Sequence, residues 1–340
     1  MNKKLLKNKF IVMFLIVSIF CFSLLGLTSC KRGERVVKDF PTAVNSLESY
    51  KVTGKLYSMF PTGTKECLIT VYYKAPDYYR VEVDNASLSD KQIVLKNKEG
   101  VHILVPSVNK TFKVKSSWPL NSSYPYLLQS LSKDLLSDEN PIIVHEDDIS
   151  SVEIKAQVFE NATPSTQKIV FNNKTGFPNE VFVYDENHNL LTRFVYENIE
   201  IDKNLDDKIF NVEQTLTSMR EYYQDIVDTY VRAITYPTYY PQGVSLKEEL
   251  IKGTNIKTAI MKYEGESNFT IIEQYLMDSE SVVTSYVDGD IYIMGGIVAL
   301  INENTISFGE QGVEYTIASN NMNIIEMIKM GDSLLVGNEK

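Results

Sequence analysis

Apolar and polar residues alternate over most of the chain between residues 50 and 201. In YYRVEVDN, Tyr79, Val81 and Val83 alternate with three charged residues, and SVEIKAQVF, residues 151–159, repeats the pattern. A period of two is typical of strands with one buried face. Turn-rich segments such as NNKTG and DENHN interrupt it. This part of the chain is therefore predicted to form about eleven strands.

Helical periodicity is rare in the same region. Helices are predicted at residues 34–49, where Pro41 disturbs the pattern, and at residues 126–136, YLLQSLSKDLL. Since helices do not alternate regularly with strands, we expect hairpin connections and an antiparallel sheet.

A longer helical pattern begins near residue 211. In TLTSMREYYQDIVDTYVRAI, apolar residues fall at 216, 219, 223, 226, 230 and 234, the stripe of an amphipathic helix. Ser218 and Glu221 have the spacing of a capping box. The pattern predicts a helix over residues 214–232 that links two domains and packs on the first one rather than forming a coiled coil.

A second strand-rich region follows over residues 233–340. It opens with the proline- and tyrosine-rich TYPTYYPQG and continues through KTAIMKYEG, NFTIIEQYLMD, VDGDIYIMGG, NTISFGE and VEYTIAS. A short helical segment, NIIEMIKMGDSLL, closes it. This composition predicts a small β-rich α+β domain.

At the N-terminus, four lysines precede an apolar stretch over residues 10–27. This is the layout of a secretory signal, although eighteen residues could also span a bilayer as an uncleaved anchor. The tetrad LTSC resembles a bacterial lipobox, in which the cysteine is diacylated before the chain is cleaved ahead of it. We therefore predict a signal peptide over residues 1–29, a diacylglyceryl group on Cys30 and a lipidated tether over residues 30–35.

The predicted mature chain is thus lipid-anchored on the extracytoplasmic face of the cell membrane. The longest later apolar run, IYIMGGIVALI, has eleven residues and two glycines. Because about 20 apolar residues are needed to span a bilayer as a helix, this run is not predicted to cross the membrane.

Net charge and cysteine content limit which binding partners and which disulfides the mature chain can have. The 340-residue chain has a formal net charge of −10, and the mature chain, without the four signal lysines, would carry −14. This balance argues against nucleic acid as a partner. Of three cysteines, Cys21 leaves with the signal and Cys30 takes the lipid, so Cys67 remains without a disulfide partner. We predict Cys67 to be a small core residue.

The sequence contains no recognisable catalytic constellation. His102, His145 and His188 are scattered and form no HExxH-type pair. DENHN, from Asp185, has oxygen ligands where a calcium loop begins but lacks its glycine and final glutamate, so we expect a hairpin tip. No Gly-x-Ser-x-Gly motif, phosphate loop or Cys-x-x-Cys pair is present. We therefore predict a protein that is not an enzyme and has no cofactor or metal.

Several segments together resemble a known family. SYKVTGKLY, VYYKAPDYYRVEV and KQIVLKNKEGVHILVPSVNKTFK are followed by WPLNSSYPYLLQSL, FPNEVFVYDENHNLLTRFVYENIEID and LDDKIFNV. In this order and spacing, residues 36–213 resemble the LolA/LolB-like lipoprotein carriers, especially Gram-positive sporulation and germination lipoproteins. Residues 232–336 are similar to a small domain often appended to them. The resemblance implies a mainly β fold, a curved antiparallel incomplete barrel with helices plugging its mouth.

In such carriers the cavity under the helices takes acyl chains. The residues that would line it here share the inward faces of two neighbouring strands: Ile69, Val71, Tyr73, Tyr79, Val81 and Val83. The alternative is that these residues form a plain core between sheet and helix. Carriers commonly place arginine before the proline of the following turn, whereas this chain has Ala75, which argues against lipoprotein shuttling.

Two functions follow as expectations. By resemblance, the protein would bind an envelope protein during sporulation or germination, such as a cell-wall amidase acting on spore cortex. Alternatively, it would be a lipid or lipoprotein carrier or receptor that holds acyl chains in the half-barrel. A partner protein requires an exposed, tyrosine-rich patch, whereas a carrier requires an accessible apolar cavity.

Overall fold

The computed structural model describes residues 37–85, 90–159, 165–223, 233–253, 258–275 and 283–336. The predicted signal peptide, Cys30 and the tether lie outside these ranges, as do residues 224–232 of the predicted linking helix. Within the described ranges, no helix combines the length and the apolar character that crossing a membrane requires.

A large antiparallel sheet is built from the first part of the chain. It contains eleven strands between Ser49 and Ile201, the number predicted from the alternating pattern. Their order across the sheet is β6-β5-β4-β3-β2-β1-β11-β10-β9-β8-β7. The strands are β1 (Ser49–Phe60), β2 (Gly63–Lys74), β3 (Tyr78–Asn85), β4 (Asp90–Asn97), β5 (Gly100–Val105), β6 (Lys110–Lys115), β7 (Ile142–His145), β8 (Ile149–Ala156), β9 (Ser165–Asn172), β10 (Pro178–Tyr184) and β11 (Leu190–Ile201).

The remaining strands belong mainly to a smaller sheet. Seven of them pair in the order β12-β13-β14-β19-β18-β17-β16, all antiparallel. The C-terminal strands are β12 (Ser245–Lys252), β13 (Thr258–Glu264), β14 (Phe269–Tyr275), β15 (Val283–Asp288), β16 (Asp290–Met294), β17 (Ile297–Asn302), β18 (Thr305–Glu310) and β19 (Val313–Ala318).

One strand departs from the predicted antiparallel arrangement. β15, from the C-terminal part of the chain, joins the first sheet and pairs with β6 in parallel, with Tyr286 opposite Lys113. A parallel neighbour needs a long crossover, and about half of the chain lies between these two strands. Nothing in the local pattern of β15 reveals a partner so distant in sequence.

The predicted fold class is confirmed. The protein is mainly β, with a large curved antiparallel sheet that does not close, because its described strands run in a linear order from β15 to β7. A second, smaller sheet follows, as expected for the C-terminal region.

In the part of the chain that the structure describes, helices are few and lie near the predicted positions. They are α1 (residues 37–45), α2 (Leu128–Ser137), α3 (Val212–Tyr223) and α4 (Ile324–Val336), together with short 3₁₀ turns at Pro106–Val108 and Asp207–Phe210.

The predicted cap of α3 is wrong. The helix begins at Val212, where the Asn211 side chain accepts a hydrogen bond from the Gln214 N–H at 2.8 Å. Asparagine is among the preferred N-cap residues, so the helix starts before Ser218. Ser218 instead donates its hydroxyl to the Gln214 carbonyl within the helix. Two members of the predicted apolar stripe pack on the first sheet: Met219 is buried against β4 and β5, and Leu216 packs beside it.

The two predicted domains share a core. The main apolar cluster combines the inner face of the first sheet with residues of α1 and α2. It also includes Ile291 and Ile293 of β16 and Val298 and Leu300 of β17. The opposite face of the same hairpin belongs to a second cluster, formed between the smaller sheet and α4. The β16–β17 hairpin of the smaller sheet therefore contributes one face to each of the two clusters.

Candidate binding surfaces

The six residues predicted to line an acyl-chain cavity lie together on the inner face of β2 and β3. In the strand register the facing pairs are Ile69–Val83, Val71–Val81 and Tyr73–Tyr79. Each side chain is at most 7% exposed. The shared inward face that the alternating pattern predicted is present and buried, while contact of these residues with an acyl chain stays a prediction.

Aromatic rings fill the same face in a continuous series. Tyr73 stacks on Tyr50 at a centroid distance of 5.1 Å and contacts Tyr79 at 5.0 Å. The series continues at centroid distances of 4.7–6.2 Å through Trp118, Tyr124, Tyr126, Phe194 and Tyr196. Rings at these separations are in contact. The protein's own side chains therefore occupy this part of the half-barrel.

The phenol groups of this series are held inside the protein. Tyr50 donates its hydroxyl to Gln129 at 2.6 Å, and Tyr196 donates to the Pro125 carbonyl at 2.8 Å. Burial raises the pKa of Tyr50 and of Tyr196 well above the ordinary value. Both groups are therefore uncharged at physiological pH, which suits a packed interior.

The β16–β17 hairpin closes much of the remaining space. A cavity of about 30 Å³ is left between Tyr124, Tyr126, Val183 and the isoleucines of β16, whereas ligand pockets usually occupy about 300–1,000 Å³. This role of the hairpin was not predicted from the sequence. The sequence feature that could have indicated it is the run IYIMGGIVALI, because strands that are apolar on both faces are usually buried on both faces.

Buried polar contacts join the two sheets around the hairpin. Gln92 has no exposed surface, donates to the Gly309 carbonyl and accepts from the Val298 N–H, both at 2.8 Å. Asn85 donates to the Gly295 carbonyl at 2.9 Å. Such satisfied buried amides fix one relative position of the elements that they connect.

A groove of about 310 Å³ lies on the outer face of the first sheet, beside α3. Its rim includes Arg80, which donates to Glu82, to the Ile209 carbonyl and to Thr215, each at 2.8 Å. These bonds join β3 to the segment that leads into α3. Arg80 therefore stabilises the protein's own contact at this place.

The residues considered from the sequence as a possible nucleophile or as metal ligands do not come together in one site. The Cys67 thiol is 3% exposed, and burial raises its pKa to about 12, which confirms a core residue rather than a thiolate nucleophile. Asp185 accepts the N–H groups of Asn187 and Asn189 at the β10–β11 hairpin tip, as predicted. Among the residues that the structure describes, no group of three or more His, Cys, Asp or Glu side chains could hold a metal ion.

Two sheet edges differ in their chemistry. At the end of the first sheet, β7 exposes Ile142 (63%) and Val144 (52%), while Ile143 packs on the main core. At the end of the second sheet, all eight residues of β12 are exposed, and half of them are charged. Neither edge was predicted from the sequence, because the position of a strand at the end of the described sheet depends on the pairing of all the other strands.

Comparison with known proteins places the chain in a family. The family model described as "Sporulation protein YdcC-like" matches residues 7–210, more than half of the chain. Sporulation protein YdcC of Bacillus subtilis is 28% identical over 318 residues, which cover 92% of this chain and 94% of that protein.

Two solved structures have a looser similarity. A LolA superfamily protein from Nitrosomonas europaea is 13% identical and covers 53% of this chain and 98% of its own, with a TM-score of 0.33. The CwlD amidase of Clostridioides difficile in complex with the GerS lipoprotein matches at 16% identity, over 51% of this chain and 94% of that one, with a TM-score of 0.20.

The family match confirms the resemblance to sporulation proteins that the segments between residues 36 and 213 predicted. The chain belongs to the YdcC-like family of sporulation proteins.

Proposed function

We propose that this sporulation-family protein is a non-enzymatic lipoprotein that binds a protein of the spore envelope. Its lipidated Cys30 would anchor it to the outer face of a Gram-positive cell or forespore membrane. A cell-wall amidase is the candidate partner, by resemblance to sporulation and germination lipoproteins.

The packing of the half-barrel carries this proposal. Aromatic side chains and the β16–β17 hairpin occupy the inner face, and the cavity left there measures about 30 Å³. A bound acyl chain would need several times this volume. The tightly packed interior favours recognition through the protein's outer surface over storage of a ligand inside.

The lipid-carrier function remains the second candidate, since the six predicted lining residues form one continuous apolar face. For an acyl chain to reach Val71 and Val81, the β16–β17 hairpin would have to leave the inner face. That movement would break the buried hydrogen bonds of Gln92 and Asn85. Loss of such bonds costs about 1–3 kcal/mol for each buried group left unpaired.

The first test is affinity capture of the full-length lipoprotein from native membranes of growing and of sporulating cells. Proteins and lipids bound to it are identified by mass spectrometry. We expect a stoichiometric envelope protein, enriched in sporulating cells. Recovery of lipid or of other lipoproteins, with no such protein, would favour the carrier function instead.

A binding assay separates the two functions directly. Full-length protein in detergent micelles is titrated with a fluorescent fatty acid, and we expect no saturable uptake above that of the micelles alone. The carrier function predicts saturable uptake that Val81→Glu abolishes in a variant that still unfolds cooperatively. Uptake that is saturable and sensitive to Val81→Glu would contradict our proposal.

A further inference from the structure

The β7 edge, residues Ile142–His145, has the features of an open strand-pairing site. β7 pairs with β8 on one side, and no described strand lies on its other side. The strand is fixed in place, because Ile143 packs on the main core and His145 Nδ1 lies 2.7 Å from the Ser150 hydroxyl. A rigid edge strand presents main-chain N–H and C=O groups to an incoming chain.

The side chains of this edge favour a partner strand with apolar residues. Ile142 and Val144 point to the outer face, opposite Glu153 and Ser151 of β8, and both are more than half exposed. Cross-strand pairs of apolar side chains stabilise an added strand. β7 itself contains no Lys, Arg, Asp or Glu.

The flanks of the β7 edge set the charge of the partner. The segment from residue 138 to residue 148, DENPIIVHEDD, has five acidic residues and no Lys or Arg. Asp148 pairs with Lys174 at 3.1 Å, while Glu139, Glu146 and Asp147 are exposed. An extended segment that lies along β7 would pass carboxylates at both of its ends, so Lys or Arg at both ends would complement them.

The same charges disfavour a second copy of this chain as the occupant. Antiparallel pairing of two β7 edges would bring residues 138–139 of one copy beside residues 146–148 of the other. A parallel pairing would likewise oppose acidic flanks to acidic flanks, and like charges at such distances are destabilising.

The β12 edge offers an internal contrast. Lys247, Glu248, Glu249 and Lys252 lie within that strand, and charged residues on an edge strand block pairing with other chains. β12 is thus protected by its own side chains, whereas β7 has its charges only at its ends.

We propose that the β7 edge binds an extended, basic segment of the partner protein by strand addition. This inference rests on the proposed partner-binding function. The edge is about 13 Å long, so the contact forms one part of a larger interface rather than the whole of it.

A synthetic peptide tests the chemistry of this edge. The probe is a short, fluorescently labelled peptide of alternating valine and threonine with lysines at both ends, and its comparison carries glutamates instead. Anisotropy is measured with the full chain in detergent micelles. We expect at least about tenfold tighter binding of the lysine peptide, weakening as salt screens the flanking charges. Equal binding of the two peptides, or no binding of the lysine peptide, would overturn the proposal.

Matched variants locate the binding site. Ile142→Lys and Val144→Lys each place on the β7 edge a positive charge that repels the lysine peptide. Leu250→Lys places the same charge on β12, where the leucine is 42% exposed. All three positions are on the surface, so cooperative unfolding should be retained. We expect the β7 variants to weaken peptide binding about tenfold or more and Leu250→Lys to leave it unchanged. A similar loss in all three would show a general charge effect and sink the assignment to β7.

A variant that lacks two of the flanking carboxylates tests whether the acidic flanks attract a partner or only keep copies of this chain apart. In the double variant Glu146→Gln, Asp147→Asn, we expect weaker binding of the lysine peptide, because two of the exposed carboxylates are gone. Self-association of this variant with unchanged binding of the lysine peptide would mean that the flanks only separate copies, and the proposal would fail.

Capture from sporulating membranes, repeated with Val144→Lys, connects the β7 edge to the native partner. Loss of the partner supports the β7 edge, and unchanged recovery refutes it while leaving partner binding intact. Failure of the unmodified protein to capture a partner would instead refute the proposed function itself.

Discussion

Glu273, in β14, is a carboxylate with no exposed surface. It accepts hydrogen bonds from the Thr235 N–H at 3.0 Å and from the Tyr275 hydroxyl at 2.9 Å. Burial raises its pKa from 4.5 to about 7, although both hydrogen bonds act in the opposite direction. In the folded protein this residue therefore holds a proton over a range in which the unfolded chain has lost it.

This shift predicts a pH-dependent effect of Glu273→Gln. Because the folded pKa is the higher one, folding binds a proton, and the stability contributed by Glu273 falls as pH rises from about 4.5 to about 7. Glutamine removes this dependence and keeps an acceptor for Thr235. We expect the variant to gain on the order of 2–3 kcal/mol relative to wild type between pH 4.5 and pH 8, measured by urea denaturation at both pH values.

Asp134→Asn serves as the comparison, since burial raises the pKa of Asp134 only to about 6. Its stability difference from wild type should develop at lower pH, between about pH 4 and pH 6. If the stability difference between Glu273→Gln and wild type stayed constant from pH 4.5 to pH 8, the raised pKa of Glu273 would be contradicted.

At the residue scale, the burial of many individual side chains can be predicted from the alternation of apolar and polar residues alone. The pattern placed Ile69, Val71 and Val81 on a buried face, and it placed Cys67 in the core. The same rule puts Glu273 on the buried side of NFTIIEQY, between Ile271 and Tyr275. What alternation does not give is the set of partners that make a buried carboxylate tolerable, because Thr235 is 38 residues away.

At the scale of elements, the turn of the β16–β17 hairpin is tightly fitted against the first sheet. Gly296 has φ +93°, and a Cβ atom there would lie 2.5 Å from Asn85 Nδ2. Gly63, in the β1–β2 turn, has φ +126° but nothing within 4 Å of the corresponding position. The two glycines share a left-handed backbone and differ in their surroundings.

Gly296→Ala should therefore destabilise the protein more than Gly63→Ala. Each alanine costs about 1–2 kcal/mol for the left-handed backbone, and the contact with Asn85 adds about 1–3 kcal/mol of overpacking at Gly296 alone. Chemical denaturation of both variants measures the difference. Equal losses would mean that the hairpin does not pack on Asn85 in solution.

The elements themselves were predictable to differing degrees. The eleven strands of the first sheet and helix α2 follow from local periodicity, which acts over a few residues. The start of α3 was missed because Asn211 competes with Ser218 as the cap, and either residue suits that position. The parallel β15–β6 pair could not be predicted, since it joins segments more than 160 residues apart.

At the scale of the whole molecule, Gln92 connects the two sheets through both ends of its amide. Gln92→Met preserves the length of the side chain but leaves the Gly309 carbonyl and the Val298 N–H without that partner. We expect a loss of about 2–5 kcal/mol in the free energy of unfolding, measured by denaturation. Gln214→Met, at an exposed position of α3, should stay within about 0.5 kcal/mol of wild type.

If the two sheets unfold independently, Gln92→Met should separate the unfolding curve into two transitions. A single transition with a lower midpoint is the result expected for a shared core. An unchanged midpoint would contradict the role assigned to Gln92.

The proposed membrane anchor makes a prediction of its own. Mass spectrometry of the native protein should find an N-terminal peptide that begins at Cys30 and carries a diacylglyceryl group. Cys30→Ser cannot be lipidated and should accumulate with residues 1–29 still attached, detected as a larger species on immunoblots. A native protein that retains residues 1–29 would instead be held by an uncleaved anchor, and the lipoprotein assignment would fail.

The sequence by itself determined the mainly β fold, the approximate positions of strands and helices, the buried face of β2 and β3, and the relationship to sporulation proteins. These properties depend on local periodicity and on segments whose order can be read along the chain. Only the tertiary structure decided that the β16–β17 hairpin packs inside the half-barrel, that β15 covers one end of the first sheet, and that no described strand covers β7 at the other end. Those outcomes depend on contacts between segments far apart in sequence, where packing and unpaired main-chain groups, rather than local pattern, select the arrangement.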